Sequence, residues 1–178
     1  MKRTFDMCMA ALGLALMAPL LVIISVLIKL DSQGPVIFRQ IRVGQGFRPF
    51  AIQKFRTMVV DAPGTGLPLT VGQDSRITRI GQILRKCKLD ELPQLWNVLV
   101  GDMSFVGPRP ALYNQDDLIA LRTEQGVAPL TPGLTGWAQV NGRDELPIPQ
   151  KVAFDVQYLQ RQSFWFDVRI IWLTFVKV

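Results

Sequence analysis

From Met7 to Ile28 the chain carries no charge, a run bracketed by Lys2, Arg3 and Asp6 before it and by Lys29 and Asp31 after it. Roughly 20 apolar residues is the length of a membrane-crossing helix. The segment is apolar on every face, unlike a helix lying on a soluble core. A cleavable signal peptide is disfavoured, because Lys29, Leu30 and Asp31 stand where a small-residue cleavage site would be needed. Pro19 lies near the middle and predicts a kink, since proline lacks an N–H and crowds the preceding turn. Basic residues flank both ends: Lys2 and Arg3 upstream, then Lys29, Arg39, Arg42 and Arg48 downstream. Positive flanks prefer the cytoplasm. A hairpin that enters and leaves on one face satisfies both flanks, whereas a straight span satisfies only the heavier one.

Beyond this run the pattern shortens. Val36-Ile37-Phe38 and Phe50-Ala51-Ile52 read as strands around the turn Val43-Gly44-Gln45-Gly46. Gly44 and Gly46 lack the third glycine of a dinucleotide fingerprint, so a hairpin turn is the reading. Asp61 to Gly72 is rich in Gly, Pro and Thr and predicts a surface loop. Ile77, Ile80, Leu84 and Cys87 then form a helical stripe among Arg76, Arg79, Arg85 and Lys86. Such a basic amphipathic helix suits an anionic membrane surface. Leu92, Leu95, Trp96 and Leu99 predict a helix from Glu91 to about Val100, ended by Gly101. A polar helix follows around Asp116 to Glu124. The aromatic segment Val152 to Val178 suits the headgroup region, and Asp155 and Asp167 interrupt it too much for it to span. The fold class is therefore α+β and mostly helical: a re-entrant membrane helix-break-helix over residues 1–32, then a domain over 33–178 with interfacial helices and a small β element.

Composition narrows the chemistry. The 178 residues are 49% hydrophobic and 19% charged, with a net charge of +6. A basic balance suits nucleotides, phospholipid headgroups or nucleic acid. Histidine is absent, which removes Ser-His-Asp and Cys-His nucleophile systems and disfavours a zinc site. Cys8 and Cys87 stand far apart with no metal-ligand spacing.

Asp90-Glu91 is the most informative pair. Pro93 is tolerated only in the first turn of a helix, which puts Asp90 at or near the N-cap. There the helix dipole would favour the ionised carboxylates. Local physics leaves two readings: a helix cap with a first-turn charge, or an anionic nucleophile beside a metal partner. A carboxylate meeting a phosphate needs an intervening cation, which magnesium or arginines supply. Arg109 is stiffened by Pro108 and Pro110 and so suits bidentate phosphate recognition.

Five runs stand out: Lys54 to Met58 (KFRTM), Arg76 to Arg85 (RITRIGQILR), Leu89 to Leu99 (LDELPQLWNVL), Gly101 to Pro110 (GDMSFVGPRP) and Pro132 to Arg143 (PGLTGWAQVNGR). Together they resemble the bacterial sugar transferase family of monotopic phosphoglycosyl transferases. The match covers nearly the whole chain in order, and the length resembles the minimal catalytic form. The resemblance implies a re-entrant N-terminal helix at Pro19 and a catalytic domain half-sunk in the cytoplasmic leaflet of a bacterial inner membrane. It implies magnesium-dependent transfer of a sugar phosphate from a UDP-sugar to polyprenyl phosphate, releasing UMP. Asp90 would be the nucleophile and Glu91 its magnesium partner, with Asp90 also near the metal. Arg85 and Arg109 would stabilise phosphate charge, with Lys54, Arg56, Gln139, Asn141 and Arg143 as further candidates around nucleotide or phosphate. Ala18 precedes Pro19 where many members have serine, and Ala111 to Asn114 is neutral where an acid is common.

Membrane lipid and the two substrates are the expected partners, and a membrane interface of this size has room for a homodimer. A nucleic-acid partner is not expected, because no groove-reading motif is present and the apolar run would be unexplained. A non-catalytic membrane-recruitment protein is the rival from another class, for which Asp90 would be dispensable.

Overall fold

The computed structural model describes residues 2–60, 74–142 and 146–177. The expected loop at Asp61 to Gly72 lies outside the described residues. Helix α1 (Lys2–Asp31) has 30 residues and includes Pro19. At about 1.5 Å per residue it is roughly 45 Å long. It stays helical through Pro19. Six residues on, Ser25 Oγ donates to Leu21 O at 2.6 Å, a back-bond of the kind that bends helices. Only 11% of its most apolar stretch is buried. That is far less than the core helix of a water-soluble domain would show.

Both ends of α1 are tied to the rest of the chain by charge. At the start, Lys2 Nζ pairs with Asp167 and donates to Val106 O at 3.0 Å, while Arg3 donates to Val98 O and Leu99 O at 2.5 and 2.7 Å. At the end, Asp31 Oδ2 accepts from Ile80 N at 3.0 Å. The apolar run is thus fastened at both limits to one folded unit.

The expected hairpin is present: β1 (Ile37–Val43) pairs antiparallel with β2 (Pro49–Phe55), from Ile37↔Phe55 to Val43↔Pro49. Gly46 sits at φ 62° in the connecting turn, a conformation that favours glycine. Helix α2 (Arg79–Lys86) follows, capped by Thr78, whose Oγ1 accepts from Gly81 N at 3.0 Å. Helix α3 spans Gln94–Val100 and ends at Gly101 with φ 103°. Two short strands then form separate pairs: β3 (Ser104–Val106) and β4 (Ala111–Leu112), the latter on the far side of β1. After α4 (Asp116–Glu124), β5 (Gly133–Thr135) lies parallel to β3. Helices α5 (Trp137–Val140), α6 (Ile148–Arg161) and α7 (Phe164–Lys177) complete the described chain. The fold is α+β and mainly helical, with a small sheet.

Burial is divided among small clusters, two of which α1 joins. Ala10 packs with Ile52, Val98 and Met103, and Ile24 and Ile28 pack with Phe55 and Leu84. The outward faces of α1 and α7 stay apolar: Leu16, Val22 and Leu30 on α1, and Trp165, Trp172 and Phe175 on α7, are all exposed. Phe5 and Phe164 meet edge to face at 5.5 Å, so the two apolar faces adjoin. The 14 described residues of α7 are fewer than the roughly 20 that cross a bilayer core.

Asp155 and Asp167 interrupt the aromatic segment for a packing reason. Asp155, 2% exposed, receives two bonds from Arg122 at 2.7 and 2.9 Å. Asp167 pairs with Lys2 and accepts from Tyr158 Oη at 2.7 Å. Burial and the neighbouring Asp167 push the Tyr158 phenol well above its ordinary value, so it stays a donor.

Candidate active site

Arg85 leaves the end of α2, and its Nε donates to Thr57 Oγ1 at 2.8 Å. The close approach of α2 to Thr57 depends on Gly81, where a Cβ would lie 2.2 Å from Thr57 O. Lys88 then adopts a left-handed conformation, φ 56°, and turns the chain into a short 3-10 helix, Leu89–Glu91. Asp90 and Glu91 lie on that turn. The expected N-cap position for Asp90 is corrected here: Pro93 occupies that place and α3 begins at Gln94. Proline fits the opening of either helix type, so its presence did not fix where the α-helix starts.

Glu91 is held from two sides. Lys54 Nζ on β2 lies 2.5 Å from Glu91 Oε1, and Arg109 Nη2 lies 3.9 Å from the same oxygen. Burial works against its charge, but Lys54, Arg109 and the adjacent Gln94 amide outweigh it and hold Glu91 below its ordinary pKa. Asp90 is shifted the other way. Burial and the neighbouring Glu91 charge raise it, and Lys54, a backbone N–H and Arg85 offset only part of that rise. The dipole argument for a freely ionised Asp90 therefore does not carry over. Two adjacent carboxylates with their proton affinities pushed apart are an arrangement suited to divided roles.

The backbone frame is fixed by buried amides. Asn97, 1% exposed, accepts from Gln53 N at 3.0 Å and donates to Ala51 O at 2.8 Å, stapling α3 to the edge strand β2 that carries Lys54. Arg122 donates to Arg109 O at 3.0 Å and so holds the Pro108–Pro110 segment.

A crevice of about 240 Å³ is lined by polar residues Arg42, Lys54, Glu91, Gln94 and Arg109, with Ile52, Pro110 and Gly133. Another, of about 340 Å³ behind Pro108 and Pro110, is mostly apolar, and its one charged residue, Arg122, is paired with Asp155. Of the two, the first is the one that Glu91, Lys54 and Arg109 line.

The structure brings Asp90, Glu91, Lys54, Arg85 and Arg109 together. It does not bring Arg56 there: that side chain is 5% exposed and donates to Ser32 O, Ser32 Oγ and Gln33 O at the exit of α1. Gln139 Nε2 donates to Leu134 O and Asn141 Nδ2 to Trp137 O, bonds within their own segment. Arg143 lies outside the described residues. Arg42 and Gln94, not singled out from sequence, line the crevice. Gln94 stood inside the Leu89 to Leu99 run, where its place beside Glu91 was the available signal.

The bacterial sugar transferase family model matches residues 1–178. A UDP-glucose:undecaprenyl-phosphate glucose-1-phosphate transferase of Caulobacter vibrioides is 46% identical over 96% of this chain and 66% of its own length. A protein of the same description from Xanthomonas campestris pv. campestris is 45% identical over 99% of this chain and 38% of its own length. An exopolysaccharide production protein of Rhizobium leguminosarum bv. phaseoli is 41% identical over 99% of this chain and 94% of its own length. The chain thus spans less than two thirds of the length of the first two relatives. With the family model matched from end to end, this chain belongs to the bacterial sugar transferase family.

Proposed function

We propose that the chain is a membrane-bound phosphoglycosyl transferase that moves a sugar-1-phosphate from a UDP-sugar to polyprenyl phosphate. The observation that carries this is the Asp90–Glu91 pair, one carboxyl raised and one lowered, beside Lys54, Arg85 and Arg109. Relatives named for glucose-1-phosphate transfer to undecaprenyl phosphate support the substrate classes and make UDP-glucose the first donor to test.

An Asp90 carboxylate oxygen attacks the β-phosphorus of the UDP-sugar. The bond from that phosphorus to the bridging oxygen breaks, and UMP leaves with the electron pair. A phosphate oxygen of polyprenyl phosphate then attacks the same phosphorus, the phosphorus–Asp90 bond breaks, and the carboxylate is restored. Splitting one displacement into two is the advantage of a covalent route. Phosphoryl transfer depends mainly on position and charge neutralisation, which Arg85, Arg109 and Lys54 supply.

Asp90 and Glu91 offer hard oxygen donors of the kind magnesium takes. Substrate phosphates and water would complete the oxygen coordination of an ion held by this pair. Bound there, magnesium would neutralise phosphate charge and favour ionised Asp90.

The membrane reading follows from α1. Its outward side chains are apolar along its length, yet Lys2, Arg3 and Asp31 fasten both ends to one folded unit. A helix so fastened would enter and leave a bilayer on one face, and the Pro19 to Ser25 stretch, with a proline and a side-chain back-bond, is where it would bend. The active site then faces the cytoplasm of a bacterial cell, where UDP-sugars are present. The test is UMP release by detergent-solubilised protein given a UDP-sugar, magnesium and polyprenyl phosphate. UMP from wild type and none from Asp90→Ala is expected; equal release from both contradicts the reading.

A further inference from the structure

Arg56 belongs to the Lys54 to Met58 run but not to the site, and its partners give it a different task. It is 5% exposed, and its guanidinium closes on the chain where that chain leaves α1. Nη1 donates to Gln33 O at 2.8 Å, and Nη2 donates to Ser32 O at 2.7 Å and Ser32 Oγ at 2.8 Å. The C-terminal end of a helix favours a cation, because its last carbonyls carry partial negative charge. Gly34, at φ 118°, gives the guanidinium its room: a Cβ there would lie 2.2 Å from Arg56 Nη1. The backbone adds a further tie, with Arg56 N donating to Val36 O at 2.8 Å. The end of the membrane helix is thus clamped to a single residue just past β2.

The next residue faces α2 instead. Thr57 is 7% exposed; its carbonyl accepts from Thr78 N at 3.0 Å and its Oγ1 from Arg85 Nε at 2.8 Å. Tethering Nε fixes the plane of the Arg85 guanidinium, and with it the direction of the Nη1 and Nη2 edge that suits a phosphate. One peptide unit therefore separates the clamp on α1 from the bond that aims Arg85. A second path joins the same two elements. Asp31, the last residue of α1, accepts from Ile80 N near the start of α2 at 3.0 Å. Ile24 and Ile28 of α1 also pack with Phe55 and Leu84, the immediate neighbours of Arg56 and Arg85. The exit of α1, the Phe55 to Thr57 segment and α2 form a closed ring of buried contacts. Packing of this kind transmits a displacement rather than absorbing it.

We infer that Arg56 and Thr57 are positioning residues that couple the seating of the membrane helix to the aim of Arg85 at the Asp90–Glu91 turn. The coupling rests on the transferase reading for the task of Arg85, and it gives insertion of α1 a route to the site.

The full chain in detergent, carrying isotope-labelled arginine, reports the coupling by NMR without turnover. In wild type the Arg85 Nε–H should exchange slowly with water. Thr57→Val, which keeps the shape and removes the hydroxyl, should abolish that protection, and Thr57→Ser should retain it. On the α1 side, Arg56→Lys and the milder Ser32→Ala should both shift the Arg85 Nε–H resonance, although neither residue touches Arg85. In UMP release, Thr57→Val should lower kcat about tenfold, the scale of one charge-assisted hydrogen bond, with KM for the UDP-sugar little changed. In an Arg85→Ala background the same substitution should cost nothing further. An Arg85 resonance unmoved by Arg56→Lys and Ser32→Ala, in variants that melt like wild type, overturns the coupling. So does a Thr57→Val loss as large in the Arg85→Ala background as in wild type. A protected Arg85 Nε–H in a wild type that releases no UMP from any UDP-sugar sinks the transferase reading instead.

Discussion

Replacing Asn97 by alanine should loosen the frame that holds the two halves of the site together. β2 is an edge strand, with β1 on one side only, so Gln53 N and Ala51 O have no strand to pair with on the other. The Asn97 carboxamide fills that role, accepting from Gln53 N at 3.0 Å and donating to Ala51 O at 2.8 Å, with a further bond to Asp102 at 3.2 Å. Truncation strands two backbone groups at a residue that is 1% exposed. Each orphaned group costs about 1–3 kcal/mol, so the loss should be about 2–6 kcal/mol. For a chain of this size about 2–4 °C accompanies each kcal/mol, which gives a fall in Tm of roughly 4–24 °C. Thermal unfolding in detergent, followed by tryptophan fluorescence, measures it. Val100→Ala on the same helix is half exposed and is the control, expected within about 0.5 kcal/mol of wild type. An Asn97→Ala melting point within 2 °C of wild type would refute the reasoning. Activity measured below the lowered Tm should still fall, because α3 and β2 no longer fix Glu91 against Lys54.

Three further outcomes are expected. Asp155→Ala leaves the Arg122 charge buried and unpaired and should cost about 3–5 kcal/mol, while Arg122→Met with Asp155→Leu should recover much of that; chemical denaturation of the three proteins decides it. UMP release should fall with acid through a pKa above the ordinary aspartate range, because Asp90 must be ionised to attack and burial and Glu91 raise it. The linked stability has the opposite sense: the folded state holds the Asp90 proton more tightly than the unfolded chain. Asp90 thus favours folding below its unfolded pKa, and that contribution is lost as pH rises through the folded value. Asp90→Asn should accordingly flatten the pH dependence of Tm across that window. Finally, with Cys8 and Cys87 replaced, single cysteines at exposed Thr4 and Gln33 should both resist a membrane-impermeant thiol reagent on intact cells and react after permeabilisation. Reaction of the Thr4 position from outside, with the Gln33 position protected, would exclude a re-entrant α1.

Much of this architecture was legible because its signals are local. The uncharged run gives α1, and the Gly44–Gly46 turn between β-favouring residues gives the hairpin. The stripe Leu92, Leu95, Trp96 and Leu99 gives α3. What was not legible depends on partners distant in sequence. Asp155 and Asp167 read as polar interruptions, but their cations are 33 and 165 residues away, Arg122 on α4 and Lys2 on α1. The resemblance groups Arg56 with Lys54 in the Lys54 to Met58 run. β2 ends at Phe55, however, and Arg56 turns to the α1 exit instead. The Asp90–Glu91 turn was placed within a few residues, but its electrostatics were not. A dipole argument predicts two ionised carboxylates, whereas burial and mutual repulsion divide them.

The claim that Asp90 carries the transferred group is tested most directly by trapping it. Protein incubated with a UDP-sugar and magnesium, without polyprenyl phosphate, is quenched, digested and examined by mass spectrometry. A phosphosugar adduct on the peptide containing Asp90, lost when polyprenyl phosphate is then added and absent from Asp90→Asn, is the predicted result. Steady UMP release with no adduct on that peptide, or an adduct that survives in Asp90→Asn, would contradict it.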